Sequence, residues 1–60
     1  MKVGALVRFI HDHTHRGIVM ELGPQETRID HGDNVVKVLW GDGEATFEFL
    51  KVLEVLSEGR

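Results

Sequence analysis

Three histidines stand at alternate positions near the start of the chain: His11, His13 and His15, in the stretch FIHDHTHRGIV. Histidine is a common ligand of transition metals, and its side chain is the one that changes charge nearest neutral pH. If the first strand continued through this stretch, the three imidazoles would lie along one side, about 7 Å apart. They could then hold zinc, nickel or copper together with His31 or Asp12 from a neighbouring loop or subunit.

The same stretch has two other interpretations. The sequence offers no cysteine and no second, distal pair of ligands, which are the features that make a zinc signal strong. Asp, Thr and His also suit a solvated loop, and titrating histidines suit a contact surface that responds to pH. We favour the solvated loop and keep the metal site and the pH-responsive surface as hypotheses.

Residues suited to catalysis are few. Covalent catalysis needs a nucleophile held next to a base, but the only serine is Ser57, in a polar C-terminal stretch, and there is no cysteine. Glu44 and Glu48 form a possible carboxylate pair, yet we expect them on an exposed strand face. The seven glycines are dispersed instead of forming a phosphate-binding loop. The sequence therefore predicts no enzymatic activity and no cofactor.

The distribution of charge disfavours nucleic acid as a ligand. The formal net charge is −3, and residues 33–60 carry six acidic side chains against three basic ones. Binding to DNA or RNA normally needs a basic stripe that displaces counterions from phosphate. A nucleic-acid accessory role is therefore the weakest of the alternatives, behind an interaction module and a metal-binding protein.

The length of the chain, 60 residues, predicts a single domain with a small core. A domain of this size buries only about 60% of the surface that its unfolded chain exposes. Self-association would bury more apolar surface, so we expect a homodimer or another protein partner. No long apolar run follows the N-terminus, so we expect neither a signal peptide nor a membrane helix, and the cytoplasm is the expected compartment.

The apolar pattern is that of strands almost throughout, because side chains alternate and turn residues recur too often for helices. A turn is predicted at 31–34 and a polar tail at 57–60, after a domain spanning 1–56. The predicted strands cover residues 3–10, 17–22 with a possible continuation at 27–30, a hairpin over 35–49, and a last strand within 50–56.

The hairpin is the best-specified segment. Asp42 and Gly43 form the strongest short signal for a two-residue hairpin turn. A turn at these two residues would pair, on one face, Trp40 with Ala45, Val38 with Phe47 and Val36 with Phe49.

This register predicts which way the aromatic side chains point. Trp40, Phe47 and Phe49 would all point into the core, and Lys37 would face Glu48 on the opposite side of the sheet. A shift by one residue would place Lys37 opposite Phe47 and mix the two faces, so we prefer the unshifted register.

Five short strands with short connections predict an all-β fold, a five-stranded sheet that curls into a small barrel. The segments KVGALVRF, GIVMEL, VVKVLWGDG and LEVL resemble those of small SH3-like barrel proteins. The chain is most similar to short uncharacterised proteins of tailed phages, and more distantly to Tudor and KOW-type modules and to the SH3-like accessory subunit of photosystem I.

The resemblance implies a role in binding or assembly without naming the ligand, because this fold hosts unrelated functions. A Tudor-type aromatic cage would need more aromatic side chains than this chain offers outside its expected core. Binding residues usually lie on loops held by a rigid scaffold, so we expect contact surfaces in the first loop, His11–Arg16, and in the second connection, Gly23–Asn34. The candidate partner-binding residues are Asp12, His13, His15, Arg16, Gln25 and Arg28.

Overall fold

A computed structural model describes residues 2–23 and 34–59 of the chain. The fold is all-β, as predicted, and contains one five-stranded antiparallel sheet with the strand order β4-β3-β2-β1-β5. A 3₁₀ helix at Leu50–Val52 connects the last two strands. The strands are β1 (Leu6–Phe9), β2 (Arg16–Leu22), β3 (Val35–Trp40), β4 (Ala45–Phe49) and β5 (Leu53–Ser57).

The sheet is open among the described residues, with β4 and β5 as its two edges. Closure into a barrel, which the sequence led us to expect, would need these two strands to be hydrogen-bonded to each other. The described part of the chain holds no helix with the length and apolar character needed to cross a membrane.

The core is small and, apart from Trp40, aliphatic. Alternation along a strand sends every second side chain to the same face, and the inward side chains of β1, β2, β3 and β5 meet in one cluster. Phe9, Leu50 and Val52 pack against this cluster and are partly buried. The buried apolar residues are Ala5, Val7, Val19, Val36, Val38, Trp40 and Leu53.

The first strand is shorter than the predicted range of 3–10. Gly4 has a φ of 93°, which side chains with a Cβ rarely adopt, and the amide of Ala5 bonds to the carbonyl of Lys2 across a turn. Regular pairing therefore begins only at Leu6. The possible strand at 27–30 and all but the last residue of the predicted turn at 31–34 lie outside the described residues.

The β3–β4 hairpin has the predicted strands but a different turn. Gly41, Asp42 and Gly43 form the loop, since the amide of Trp40 donates to the carbonyl of Glu44 at 2.8 Å. Gly43 has a φ of 91°, and the Asp42 carboxylate accepts a hydrogen bond from the Glu44 amide at 3.0 Å. A turn closed by a residue of positive φ is a common three-residue hairpin connection. The predicted two-residue turn is therefore wrong.

The extra loop residue shifts the pairing by one position and exchanges the faces of β4. In the structure Lys37 lies opposite Phe47, Val38 opposite Thr46, and Leu39 opposite Ala45. Val36 faces Glu48 and Val35 faces Phe49, so the predicted pairing of Lys37 with Glu48 is wrong.

The shift also corrects the predicted positions of the aromatic side chains. Trp40 is buried, as predicted, with 7% of its surface exposed. Phe47 and Phe49 are not in the core: 67% and 48% of their surfaces are exposed. The physical reason is that Gly43 fixes the register through its turn geometry, and this register turns both phenyl rings outward.

Candidate binding surfaces

An apolar row crosses the sheet on the side that faces away from the core. Leu6 pairs with Ile18, Ile18 pairs with Leu39, and Leu39 pairs with Ala45, so the row runs from β1 to β4. Ile18 and Leu39 are 42% and 39% exposed. Because side chains two residues apart share a face, Phe47 extends the row along β4. We call this surface, which carries Ile18, Leu39, Phe47 and Phe49, the outer face.

Two lysines lie over the phenyl rings of the outer face. The Lys37 ammonium is 5.9 Å from the centroid of the Phe47 ring, and that of Lys51 is 5.5 Å from the centroid of Phe49. A cation–π contact at an exposed site contributes about 0.5–1 kcal/mol. Lys37 also lies 3.8 Å from the carboxylate of Glu21. The lysines therefore cover part of each ring and leave a large apolar area in contact with water.

A shallow pocket of about 300 Å³ lies on the opposite side of β4. Its aromatic floor is Phe9 and Trp40, whose rings are stacked with centroids 4.5 Å apart and planes 18° apart. Each ring covers one face of the other, so the two rings do not form separate walls of an aromatic cage. The remaining lining residues are Asp12, His15, Asp42, Thr46 and Glu48.

A chain of hydrogen bonds connects the floor of the pocket to its rim. The Trp40 indole donates to the Thr46 hydroxyl at 2.7 Å, and this hydroxyl donates to the Glu48 carboxylate at 2.8 Å. The indole N–H is thereby satisfied although its ring is buried, as a buried tryptophan requires. Thr46 and Glu48 share this side of β4 because the register places Phe47 and Phe49 on the other.

Asp12 organises the first loop at the edge of the pocket. Its carboxylate accepts hydrogen bonds from the Thr14 hydroxyl and from the Thr14 amide, the latter at 3.0 Å. These two bonds, and above all the one from the hydroxyl, hold the pKa of Asp12 below its ordinary value. The His15 ring, whose Nδ1 lies 3.5 Å from the carboxylate, lowers this pKa further. Three carboxylates and one histidine around the pocket therefore favour a positively charged group over an anion.

The three alternate histidines lie in a turn, not in an extension of β1. The strand ends at Phe9, and all three side chains are exposed. The ring of His13 lies 3.1 Å from the carbonyl of Ile10, and that of His15 lies 2.9 Å from the Thr14 hydroxyl. The alternation that would have aligned His11 with its two neighbours does not apply in a turn.

No metal centre is assembled by residues 2–23 and 34–59, which bring together no group of three or more His, Cys, Asp or Glu side chains that could hold an ion. His31, the fourth candidate ligand, lies outside the described residues. A site that depends on His31 therefore remains a prediction.

The predicted partner-binding residues are only partly brought together. Asp12 and His15 lie beside the pocket, whereas His13 bonds back to its own loop and Arg16 begins β2. Gln25 and Arg28, with most of the second connection, lie outside the described residues.

Sequence reasoning missed the outer face. It placed Phe47 and Phe49 in the core, because it assumed a two-residue turn at Asp42 and Gly43. The signal that could have identified the outer face is the pair of glycines around Asp42, since Gly41-Asp42-Gly43 permits a loop of three residues as readily as one of two. With that loop, both phenylalanines join Leu39 on the solvent side.

No protein-family model, no curated protein and no solved structure matches the chain.

Proposed function

We propose that the chain is a non-catalytic interaction and assembly module that binds another protein through its outer face. The observation that carries this proposal is the exposure of Phe47 and Phe49, two of the four aromatic side chains in a chain of 60 residues. A small domain gains little stability from its core. Leaving two phenyl rings in water therefore costs this domain a substantial part of the apolar surface that it could have buried.

The energetics of the outer face support a role in binding. Full burial of a phenylalanine is worth about 1.5–3 kcal/mol, and aromatic side chains are enriched at the centres of protein interfaces. Ile18 and Leu39 lie in the row beside the rings and extend the apolar area inward from the edge. Lys37 and Lys51 provide a charged rim, as polar residues do around the buried centre of an interface.

The proposed likeness to SH3-like barrels is supported by the strand order. Four strands follow one another as an antiparallel meander, and β5 returns to pair with β1 after a short 3₁₀ helix. This arrangement brings both ends of the chain to one part of the sheet and leaves the outer face of β2, β3 and β4 available. We propose the barrel-like fold as the scaffold of the binding surface.

The absence of catalysis is part of the same proposal. The only serine, Ser57, lies in β5, and its hydroxyl accepts a bond from the Gly59 amide at 3.4 Å.

The acidic pocket beside Trp40 offers a second, smaller contact for a basic side chain of the partner.

The proposal is tested by capture of partners from a lysate of the native host with three immobilised proteins. These are the unchanged chain, the double variant Phe47→Ser/Phe49→Ser, and the control Val3→Ser/Ile10→Ser. Val3 and Ile10 are exposed apolar residues outside the strands, 54% and 40% exposed, so the control removes similar surface elsewhere.

We expect the unchanged chain and the control to retain the same protein, and the double phenylalanine variant to lose it. Circular dichroism should show that both variants stay folded, because all four side chains are exposed in the folded chain. Retention of the same proteins by all three baits would contradict a binding role for the outer face.

A further inference from the structure

Within the described residues β4 is an edge strand, and its open edge presents backbone groups in a regular order. The Trp40 amide bonds to the Glu44 carbonyl and the Leu50 amide bonds to the Asn34 carbonyl, so even-numbered residues of this segment bond to β3. In an antiparallel ladder the intervening residues point their N–H and C=O groups the other way. Ala45, Phe47 and Phe49 therefore direct their backbone groups away from β3, toward the open edge.

Although Glu48 places one charge on the core side of β4, this edge lacks most of the features that usually prevent a strand from pairing with another chain. Its sequence, ATFEF, contains no lysine and no proline, and its ladder with β3 runs without a register shift. Natural proteins use lysine, proline and register shifts to protect exposed edges. The other edge has them: the β1–β5 ladder shifts its register between Leu6 and Val7, and Glu54 of β5 forms an ion pair with Arg8 at 3.0 Å.

We propose that β4 pairs with β4 of a second copy of this chain, antiparallel and about a two-fold axis at Phe47. This inference rests on the proposed function, of which it names one partner. The two sheets would then form one continuous sheet, with the outer faces of both copies on the same side.

The charges on β4 select this register. With Phe47 opposite itself, Glu48 faces Thr46 of the second copy and no two carboxylates are directly opposed. A shift of one pair in one direction would oppose Glu48 to Glu44 of the second copy, and a shift in the other direction would oppose Glu48 to itself. Like charges directly across a strand pair are destabilising, so both shifted registers are disfavoured.

The side chains of the outer face agree with the same register. Ala45 lies opposite Phe49 of the second copy, so a small side chain leaves room for a large one. The two copies of Phe47 lie side by side at the axis, where cross-strand aromatic pairs contribute about 0.2–1 kcal/mol. Each Phe47 ring would thereby be partly covered by the Phe47 ring of the other copy.

Single cysteines on β4 test the register, because the chain has no cysteine of its own. Residues directly opposite in a hydrogen-bonded pair have Cα atoms about 5.5 Å apart, within the range of a disulfide. Three variants are oxidised separately: Phe47→Cys, with Ala45→Cys and Phe49→Cys as matched controls on the same strand and face. The three variants are also oxidised as pairwise mixtures: Ala45→Cys with Phe49→Cys, Ala45→Cys with Phe47→Cys, and Phe47→Cys with Phe49→Cys.

We expect Phe47→Cys to form disulfide dimers several-fold faster than either control alone, and the mixture of the two controls to cross-link as a heterodimer. Cross-linking of Ala45→Cys with Phe47→Cys, or of Phe47→Cys with Phe49→Cys, in preference to this pattern would identify a shifted register and overturn the proposal.

Sedimentation equilibrium of the unchanged chain provides the second measurement. We expect the average mass to rise toward twice that of the chain as its concentration increases. A monomer at millimolar concentration would overturn the proposed dimer. Capture of a foreign protein that depends on Phe47 and Phe49 would then still support the proposed function, so failure of the dimer and failure of the function are distinguishable.

Discussion

The four aromatic side chains form two pairs in opposite environments. Phe9 and Trp40 stack on each other at the margin of the core, and the indole N–H is held by Thr46. Phe47 and Phe49 lie in water on the other side of β4, each beneath a lysine. Thr46, which holds the inner pair, stands next in sequence to Phe47 of the outer pair.

The difference shows that burial of aromatic residues does not by itself determine which face of a strand points inward. The inward side chains of β3 already meet Val7, Val19 and the Phe9–Trp40 stack, so the small interior is filled without the two outer rings. The turn geometry at Gly43 sets the register and leaves the outer pair in contact with water.

The largest expected effect separates the two pairs directly. Trp40→Ala should destabilise the domain by about 3–5 kcal/mol, because it removes a buried ring and leaves a cavity. Phe47→Ala, the matched change in the outer pair, should stay within about 0.5 kcal/mol, as is usual for exposed positions. Urea denaturation followed by circular dichroism measures both. Equal losses of stability would mean that the two pairs do not differ in burial.

A smaller effect is expected at the link between Trp40 and Thr46. Thr46→Val keeps the shape of the side chain but removes the acceptor of the indole N–H, and an unsatisfied buried donor costs about 1–3 kcal/mol. Thr46→Ser keeps the hydroxyl and should recover most of this loss in the same denaturation assay. A Val variant as stable as the unchanged chain would show that the hydrogen bond is replaced by water.

The protected edge provides a pH-dependent prediction. The Arg8 side chain donates to the Glu54 carboxylate, which lowers the pKa of Glu54 in the folded state. The ion pair therefore contributes stability above the unfolded-state pKa of Glu54 and loses it as the pH falls through the folded-state pKa. Glu54→Gln should be less stable than the unchanged chain at neutral pH, and thermal melts should converge in acid. If the two proteins differed in stability by the same amount at every pH, the ion pair would not be the source of the difference.

The smallest effect is expected in the first loop. His13→Ala removes an exposed ring that donates a hydrogen bond to the carbonyl of Ile10 in the same loop. Thermal melts should show no change beyond experimental error. A loss of stability comparable with that of Thr46→Val would show that this loop contributes to the core.

Much of the fold could be predicted from the sequence. Alternation and the glycine-rich turn predicted the hairpin strands and the burial of Trp40, and the spacing of apolar residues predicted five strands. The outer face could not be predicted in the same way, because A-T-F-E-F alternates equally well in either register and the choice depends on one loop residue. The predicted contacts at Gln25 and Arg28 fall in a connection outside the described residues.

The central claim is the register of the β3–β4 hairpin, because a shift by one residue would turn Phe47 and Phe49 into the core. Nuclear Overhauser contacts between Hα protons measure it directly in a dilute sample, since the residues of non-hydrogen-bonded antiparallel pairs approach most closely. We expect strong contacts between Lys37 and Phe47 and between Leu39 and Ala45. A strong contact between the Hα protons of Val38 and Phe47 would contradict the account.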